Sequence, residues 1–306
     1  MRYGYACINM RLSYPQQYGG KEKGVEPITT GRTMIKRTFE SKGVDYASEL
    51  TLKNVKDLNS IISWNVLNGY DFYRLSSGLA PWKTEYDWDD LKDIDEIKTY
   101  FHSAGTMAKT HDVRLTSHPG PFNVLVSPKE EVVENCIKDL TIHGDEFDMM
   151  GLSRTPYNKI NIHIGAAYGD KHSTTKRWIE NYYRLSEECR ARLVIENDDK
   201  ASMYSVRDLY EMVHIVTEIP ITFDYWHHTF NTGDLTEAEA LLRHVLSENE
   251  KAGLVATDIR LLNVVFVLGD LLAMRVERRI PALAAATATA DKLRSGEAKE
   301  QKRSGD

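Results

Sequence analysis

The chain has 306 residues, 42% of them hydrophobic and 27% charged, with a formal net charge of −6. That length suffices for one large α/β domain with a well-buried core. The acidic balance excludes a globally basic nucleic-acid binder, while bound cations and a basic rim could still serve a DNA partner.

Cys7, Cys136 and Cys189 are too few and too scattered for a disulfide framework or a CxxC metal pair, which suits a reducing cytoplasm. The opening MRYGYACINMRL lacks the apolar core of a secretory signal. The most apolar stretch, Leu261 to Met274, is too short to span a bilayer and contains Asp270. A cytoplasmic protein with no membrane partner is expected.

In chain order, the pattern predicts a first strand over Tyr3 to Ile8, then a long polar loop from Ser13 to Gly43 carrying Arg32, Lys36 and Arg37. Ser48 to Trp64 reads as helix, because Leu50, Val55, Leu58, Ile61 and Ile62 recur at helical spacing. Asp71 to Leu75 is a second strand and Lys92 to His111 the next helix. Val113 to His118 is strand three and Pro128 to His143 its helix, with Pro128 at a start position. Lys159 to Ile164 is strand four, Lys171 to Cys189 is helical, and Leu193 to Glu196 is strand five. Ser205 to Val216 follows as helix, Ile219 to Asp224 as strand six, and Thr236 caps a helix running to Glu250.

Six βα units in sequence predict an α/β fold of the (β/α)8 TIM-barrel type. The expected organisation is a single catalytic domain over residues 1–280, irregular or incomplete after about residue 253, with 281–306 a disordered tail poor in large apolar residues.

Four of the strand-like runs end in residues that bind metals: VRLTSH at His118, INIHI at His163, LVIE at Glu196, and ITFD at Asp224 with His227 and His228 just beyond. Successive ends lie roughly 28 to 45 residues apart, the period of one βα unit, and barrels gather their chemistry at the carboxyl ends of their strands. A lone histidine would more often be a satisfied loop or core residue. Four strand ends in register favour a polynuclear metal site. Glu196 ends a buried run, where an uncompensated carboxylate costs several kcal/mol, so a cation is the favoured partner.

Mixed imidazole and carboxylate donors suit Mn²⁺, Zn²⁺ or Fe²⁺ better than Mg²⁺ or Ca²⁺. Clustered ions of this kind serve in-line attack at phosphorus. They serve aldose–ketose isomerisation too, and the donor set does not separate the two. Near the first strand, Tyr5 could stack on a base and Asn9 could bond an exposed nucleotide. Local sequence alone favours barrel packing and a capping Asn.

The segments GYACIN, ASELTLKNVKDLNSIISWN, FYRLSSGLAPW, SHPGPFNVLVSP, NIHIGAAYGDK, LVIENDDK and FDYWHH, in this order over about residues 3 to 250, resemble the ultraviolet damage endonuclease family. The resemblance implies a fold like that of apurinic-site endonucleases and xylose isomerases. It implies a monomeric enzyme that nicks damaged double-stranded DNA 5′ of ultraviolet photoproducts. Two or three divalent ions, Mn²⁺ above all, would be its cofactors.

By motif, His118, His163, Glu196, Asp224 and His227 correspond to the metal ligands that carry catalysis. Tyr5 and Asn9 correspond to DNA contacts, and Pro121 and Phe122 to a pair that probes the duplex opposite the lesion. Many members have glutamine where this chain has Pro121, so this pair would wedge by shape. Many also place a metal-binding histidine after the second strand; the PWKTEYDW loop has none, and Glu85 is the substitute it offers. His228 is a further ligand, a support for one, or a DNA-facing donor. The additional His, Lys and Glu of the family's last two strands have no equivalent after Gly253. Two other expectations stand beside the nuclease: a sugar isomerase or epimerase on a related barrel, and a lesion-binding remnant that no longer cuts.

Overall fold

The computed structural model describes residues 2–18 and 26–250. The expectations for the chain after residue 253, including barrel closure and the 281–306 tail, lie outside the described residues. In chain order come β1 (Gly4–Ala6), α1 (Met10–Ser13), α2 (Pro15–Tyr18), α3 (Lys36–Leu67), β2 (Phe72–Arg74), α4 (Ile94–Thr110) and β3 (Arg114–Thr116). Then follow α5 (Glu130–Met149), β4 (Ile160–Ile162), α6 (Lys171–Tyr182), α7 (Glu187–Arg192) and β5 (Leu193–Glu196). The last elements are α8 (Val206–Leu209), a π turn (Tyr210–His214), α9 (Ile215–Thr217), β6 (Ile221–Thr222), α10 (Tyr225–Phe230) and α11 (Glu237–Glu250). Parallel strands alternating with helices make the fold α/β, with six βα repeats of the barrel type. No helix among the described residues is long and apolar enough to cross a membrane.

Two compact units divide the chain: residues up to Ala166 with Lys176–Val194, and Ala167–Thr175 with the chain from Ile195 onward. In the first, β1, β2 and β3 lie side by side and parallel, with Tyr5, Tyr73 and Leu115 in register. Ser117 then bridges Ile160 in parallel fashion and carries the order on to β4. Gly4 is required where it stands, since a Cβ there would run into the Phe72 carbonyl. Behind the sheet, α3 buries Val55, Leu58, Ile61 and Ile62, and α4 buries Ile97, Phe101 and Ala104. These are the positions that the 3.6-residue period marks.

In the second unit the end of β5 pairs with β6 in parallel, Ile195 opposite Ile221 and Glu196 opposite Thr222. Val206, Leu235 and Ala240 form one small apolar cluster in it, with Phe223 packed against them. From α11, the Ser247 hydroxyl accepts a hydrogen bond from Ile221 N–H at 2.9 Å and so ties helix to strand.

Several elements differ from expectation. The ladders are shorter than the apolar runs, because the run continues past the last backbone pairing into the chain that turns toward the site. The long loop expected from Ser13 to Gly43 follows directly on α1 and contains the short helix α2 and the first turns of α3. Gly43, at φ +65°, breaks that helix where the loop was expected to end. The helix expected over Lys171 to Cys189 is two helices, the second started by Ser186, whose side chain accepts from Cys189 N–H. The helix after β5 is interrupted by the π turn.

Candidate metal centre and probing loop

In the first unit, His118 follows β3 and His163 follows β4, and their rings lie side by side with centroids 5.4 Å apart. The parallel step from Ser117 to Ile160 accounts for this: it brings the two strand ends level. His118 Nδ1 is 3.1 Å from the Pro119 carbonyl, and Ser77 Oγ donates to the His118 carbonyl at 2.8 Å. An imidazole with Nδ1 against a carbonyl carries its proton there and keeps the Nε2 lone pair for a ligand.

In the second unit, Glu196, Asp224 and His227 each place a donor atom within 4.8 Å of the others. Glu196 is 6% exposed, at the end of β5. His227 Nδ1 is 3.6 Å from Glu196 Oε1 and 4.0 Å from Asp224 Oδ2. Asp224 and His227 meet because the chain after β6 turns at once into α10. Asp224 is the N-cap, its Oδ1 accepting from His227 N–H at 2.8 Å. The separation of i and i+3 along the sequence becomes one turn of helix, and the cap bond uses only Oδ1 of Asp224.

Asn197, which sequence reasoning passed over, organises this group. Fully buried, it accepts from Asp224 N–H through Oδ1 at 2.8 Å and donates from Nδ2 to the Asp224 carbonyl at 3.0 Å. Its own carbonyl lies 2.8 Å from His227 Nδ1. The one available signal was position: the residue after a strand-end ligand is well placed to clamp its neighbour's backbone.

A divalent cation suits this donor set. Two carboxylates and an imidazole converge within one ion's reach, one carboxylate is buried, and anionic oxygens so close together repel unless a cation lies between them. The other sequence candidates are placed differently. Glu85 is exposed in a short 3-10 turn, Lys83–Glu85, and belongs to no such donor group among the described residues. His228 is 5% exposed and packs its ring edge-on to Phe223 at 5.3 Å, and burial lowers its pKa. It supports α10 from below and does not face solvent as a DNA donor would.

Asn9 and Tyr5 form a network of their own. Asn9, 4% exposed, caps α1 by accepting from Leu12 N–H and donates from Nδ2 to Tyr5 Oη at 2.6 Å. The Tyr5 hydroxyl donates to Asn65 at 2.7 Å, and burial pushes its pKa up to about 12. Ile8 and Met10, beside them, are exposed.

Pro121 and Phe122 head the loop after β3, and Phe122, 87% exposed, is the most exposed large apolar side chain described. Asn123 N–H donates to the Gly120 carbonyl at 3.1 Å, closing a β-turn with Pro121 and Phe122 as its two central residues. Proline presets the dihedral that the first of these positions needs.

The profile of the UV-endonuclease UvdE family matches residues 1–255. The chain belongs to that family. It is 33% identical over 239 residues to a UV-damage endonuclease of Schizosaccharomyces pombe, covering 77% of this chain and 37% of that protein. It is 30% identical over 235 residues to a UV DNA damage endonuclease of Bacillus cereus, covering 76% of this chain and 68% of that one. Among solved structures it resembles SacUVDE, with a TM-score of 0.68 and 28% identity over 81% of this chain and 77% of the other. The chain thus spans about a third of its fungal relative and about two thirds of its bacterial one.

Proposed function

We propose that this protein is a metal-dependent DNA repair endonuclease that nicks duplex DNA 5′ of ultraviolet photoproducts. His118 and His163 of the first unit, and Glu196, Asp224 and His227 of the second, serve as its ligands for divalent ions, Mn²⁺ foremost. The observation that carries the reading is the buried Glu196 carboxylate converging with Asp224 and His227. Family membership supports a nuclease over an isomerase.

When bound, such ions lower the pKa of water and offset charge on the leaving oxygen. The chain's own residues prepare for that role. Carbonyls hold the Nδ1 protons of His118 and His227, so that Nε2 presents its lone pair. Asn197 fixes Asp224 and His227 together through three contacts, so little ordering remains for the binding step. Phe122 is the wedge that fills the gap left by displaced damaged bases, a displacement that is cheaper where a lesion has weakened stacking.

The test is nicking of irradiated and unirradiated supercoiled plasmid with Mn²⁺ and with EDTA. The reading expects cutting of irradiated plasmid alone, abolished by EDTA. Equal cutting of both plasmids would remove the damage specificity, and cutting in EDTA the metal dependence. Lesion binding without any cut would leave the remnant reading.

A further inference from the structure

The wedge reading of Phe122 raises a mechanical question. A side chain 87% exposed at a loop apex has no packing of its own to hold it upright, yet insertion into a base stack needs a fixed direction. Rigidity must come from beneath.

It is present in Asn123, only 8% exposed. Its Nδ2 donates to the Gly120 carbonyl at 3.1 Å, doubling the backbone closure of the same turn, and also donates to Asp139 Oδ2 at 2.7 Å. Asp139 stands on α5, a regular helix whose inner face is packed. That same Oδ2 lies 3.7 Å from Nε2 of His143, one turn further along and 2% exposed. A donor bonded to a carboxylate gives a shorter and stronger bond than one to a neutral acceptor. The line from Phe122 through Asn123 to Asp139 therefore joins the most mobile kind of element to one of the most rigid.

The geometry points to Asp139 as a positioning residue for damage recognition: through Asn123 it mounts the Pro121–Phe122 turn on α5, and so sets the efficiency with which Phe122 enters the duplex. The inference rests on the proposed wedge role of Phe122. Asp139 touches no DNA in this scheme. Its effect should appear in lesion engagement and leave ordinary duplex binding alone.

The experiment uses the full chain in EDTA, so that no cutting intervenes, and a duplex with a pyrimidine dimer and 2-aminopurine in the opposite strand. Unstacking of the reporter raises its fluorescence. Phe122→Ala should abolish the rise, and a rise left intact would overturn the wedge reading and the mount with it. Asp139→Ala should cut the rise at saturating protein by roughly fivefold, the scale of losing one charge-assisted hydrogen bond. Asp139→Asn, which keeps an acceptor for Asn123, should restore most of it.

Affinity for undamaged duplex should stay unchanged in Asp139→Ala and Asp139→Asn, since Asp139 touches no DNA. Asn123→Ala removes the other end of the same bond without touching α5, and with it the side-chain bond to Gly120, so it should cut the rise at least as much as Asp139→Ala. If Phe122→Ala loses the signal while Asp139→Ala and Asn123→Ala keep it, the wedge stands and the mount is wrong.

Discussion

His227 Nδ1 lies 2.8 Å from the backbone carbonyl of Asn197, whose side chain at the same time clamps the backbone of Asp224 on both its N–H and its carbonyl. One buried residue thus fixes a tautomer and a helix cap. Asn197→Ala should leave the fold intact but unpair two backbone groups of Asp224, a cost of about 1–3 kcal/mol. Mn²⁺ affinity should fall about 10- to 100-fold, as when supporting partners of ligands are removed. Titration of Mn²⁺ by electron paramagnetic resonance measures this. Unchanged affinity would show that Asn197 does not organise the site.

Glu196→Gln separates the burial cost of the carboxylate from its value as a ligand. In EDTA the wild-type protein keeps an acidic side chain only 6% exposed beside Asp224, and the amide removes that charge. The variant should melt at the same temperature as wild type or higher in EDTA. In saturating Mn²⁺ it should gain less, since stabilisation by a ligand follows its affinity for the folded state. Parallel melting curves with and without Mn²⁺ check both halves. Equal gains from Mn²⁺ in the two proteins would remove Glu196 from the ligand set.

The strand ends were legible because a barrel imposes a period, and a ligand at the end of an apolar run stands out against it. β5 and its Glu196 emerge with the expected bounds, and α3 buries its expected positions. α10 was not legible: YWHHTF mixes exposed aromatics with histidines and shows no apolar stripe, and what makes it helical is the Asp224 cap and the tie to Asn197. Asn197 itself was invisible, since its role lies in contacts 27 residues along the chain. For Tyr5 and Asn9, local sequence favoured packing and capping, and those are the bonds they make.

Arg192 offers a prediction on stability. It is fully buried at the end of α7, donating to Asp148 at 2.6 Å and to the Ser153 and Leu152 carbonyls at 3.0 Å. Together with Arg154 it holds Asp148 at the C-terminal end of α5. Arg192→Met keeps the volume but takes the donor from the Ser153 and Leu152 carbonyls and leaves Asp148 to Arg154 alone, 2.7 Å away. Losing buried hydrogen-bond partners of this kind costs about 1–3 kcal/mol. Denaturant unfolding should show a lower midpoint with an unchanged slope. A loss below about 1 kcal/mol would place the pair among the weak surface bridges.

His143 and Glu146, 2% and 3% exposed on α5, face each other with Nδ1 3.5 Å from Oε2. Burial works to lower the His143 pKa, but Glu146 and then Asp139 outweigh it, and the net direction from 6.5 is upward. Burial raises the Glu146 pKa from its ordinary 4.5, with His143 opposing. Both groups therefore hold protons more tightly when folded than when unfolded. The unfolded chain binds fewer protons, so stability from this pair falls as pH rises. For Glu146 the fall begins above pH 4.5, and for His143 the stability is fully present below 6.5 and is lost as pH climbs through the raised value. The double variant His143→Leu with Glu146→Leu should flatten this part of the melting-temperature profile and leave the rest in place. Such a replacement of a buried pair by apolar side chains is often neutral or stabilising. A double variant that keeps the wild-type slope between pH 5 and 8, where His and raised carboxylates titrate, would show that the dependence arises elsewhere.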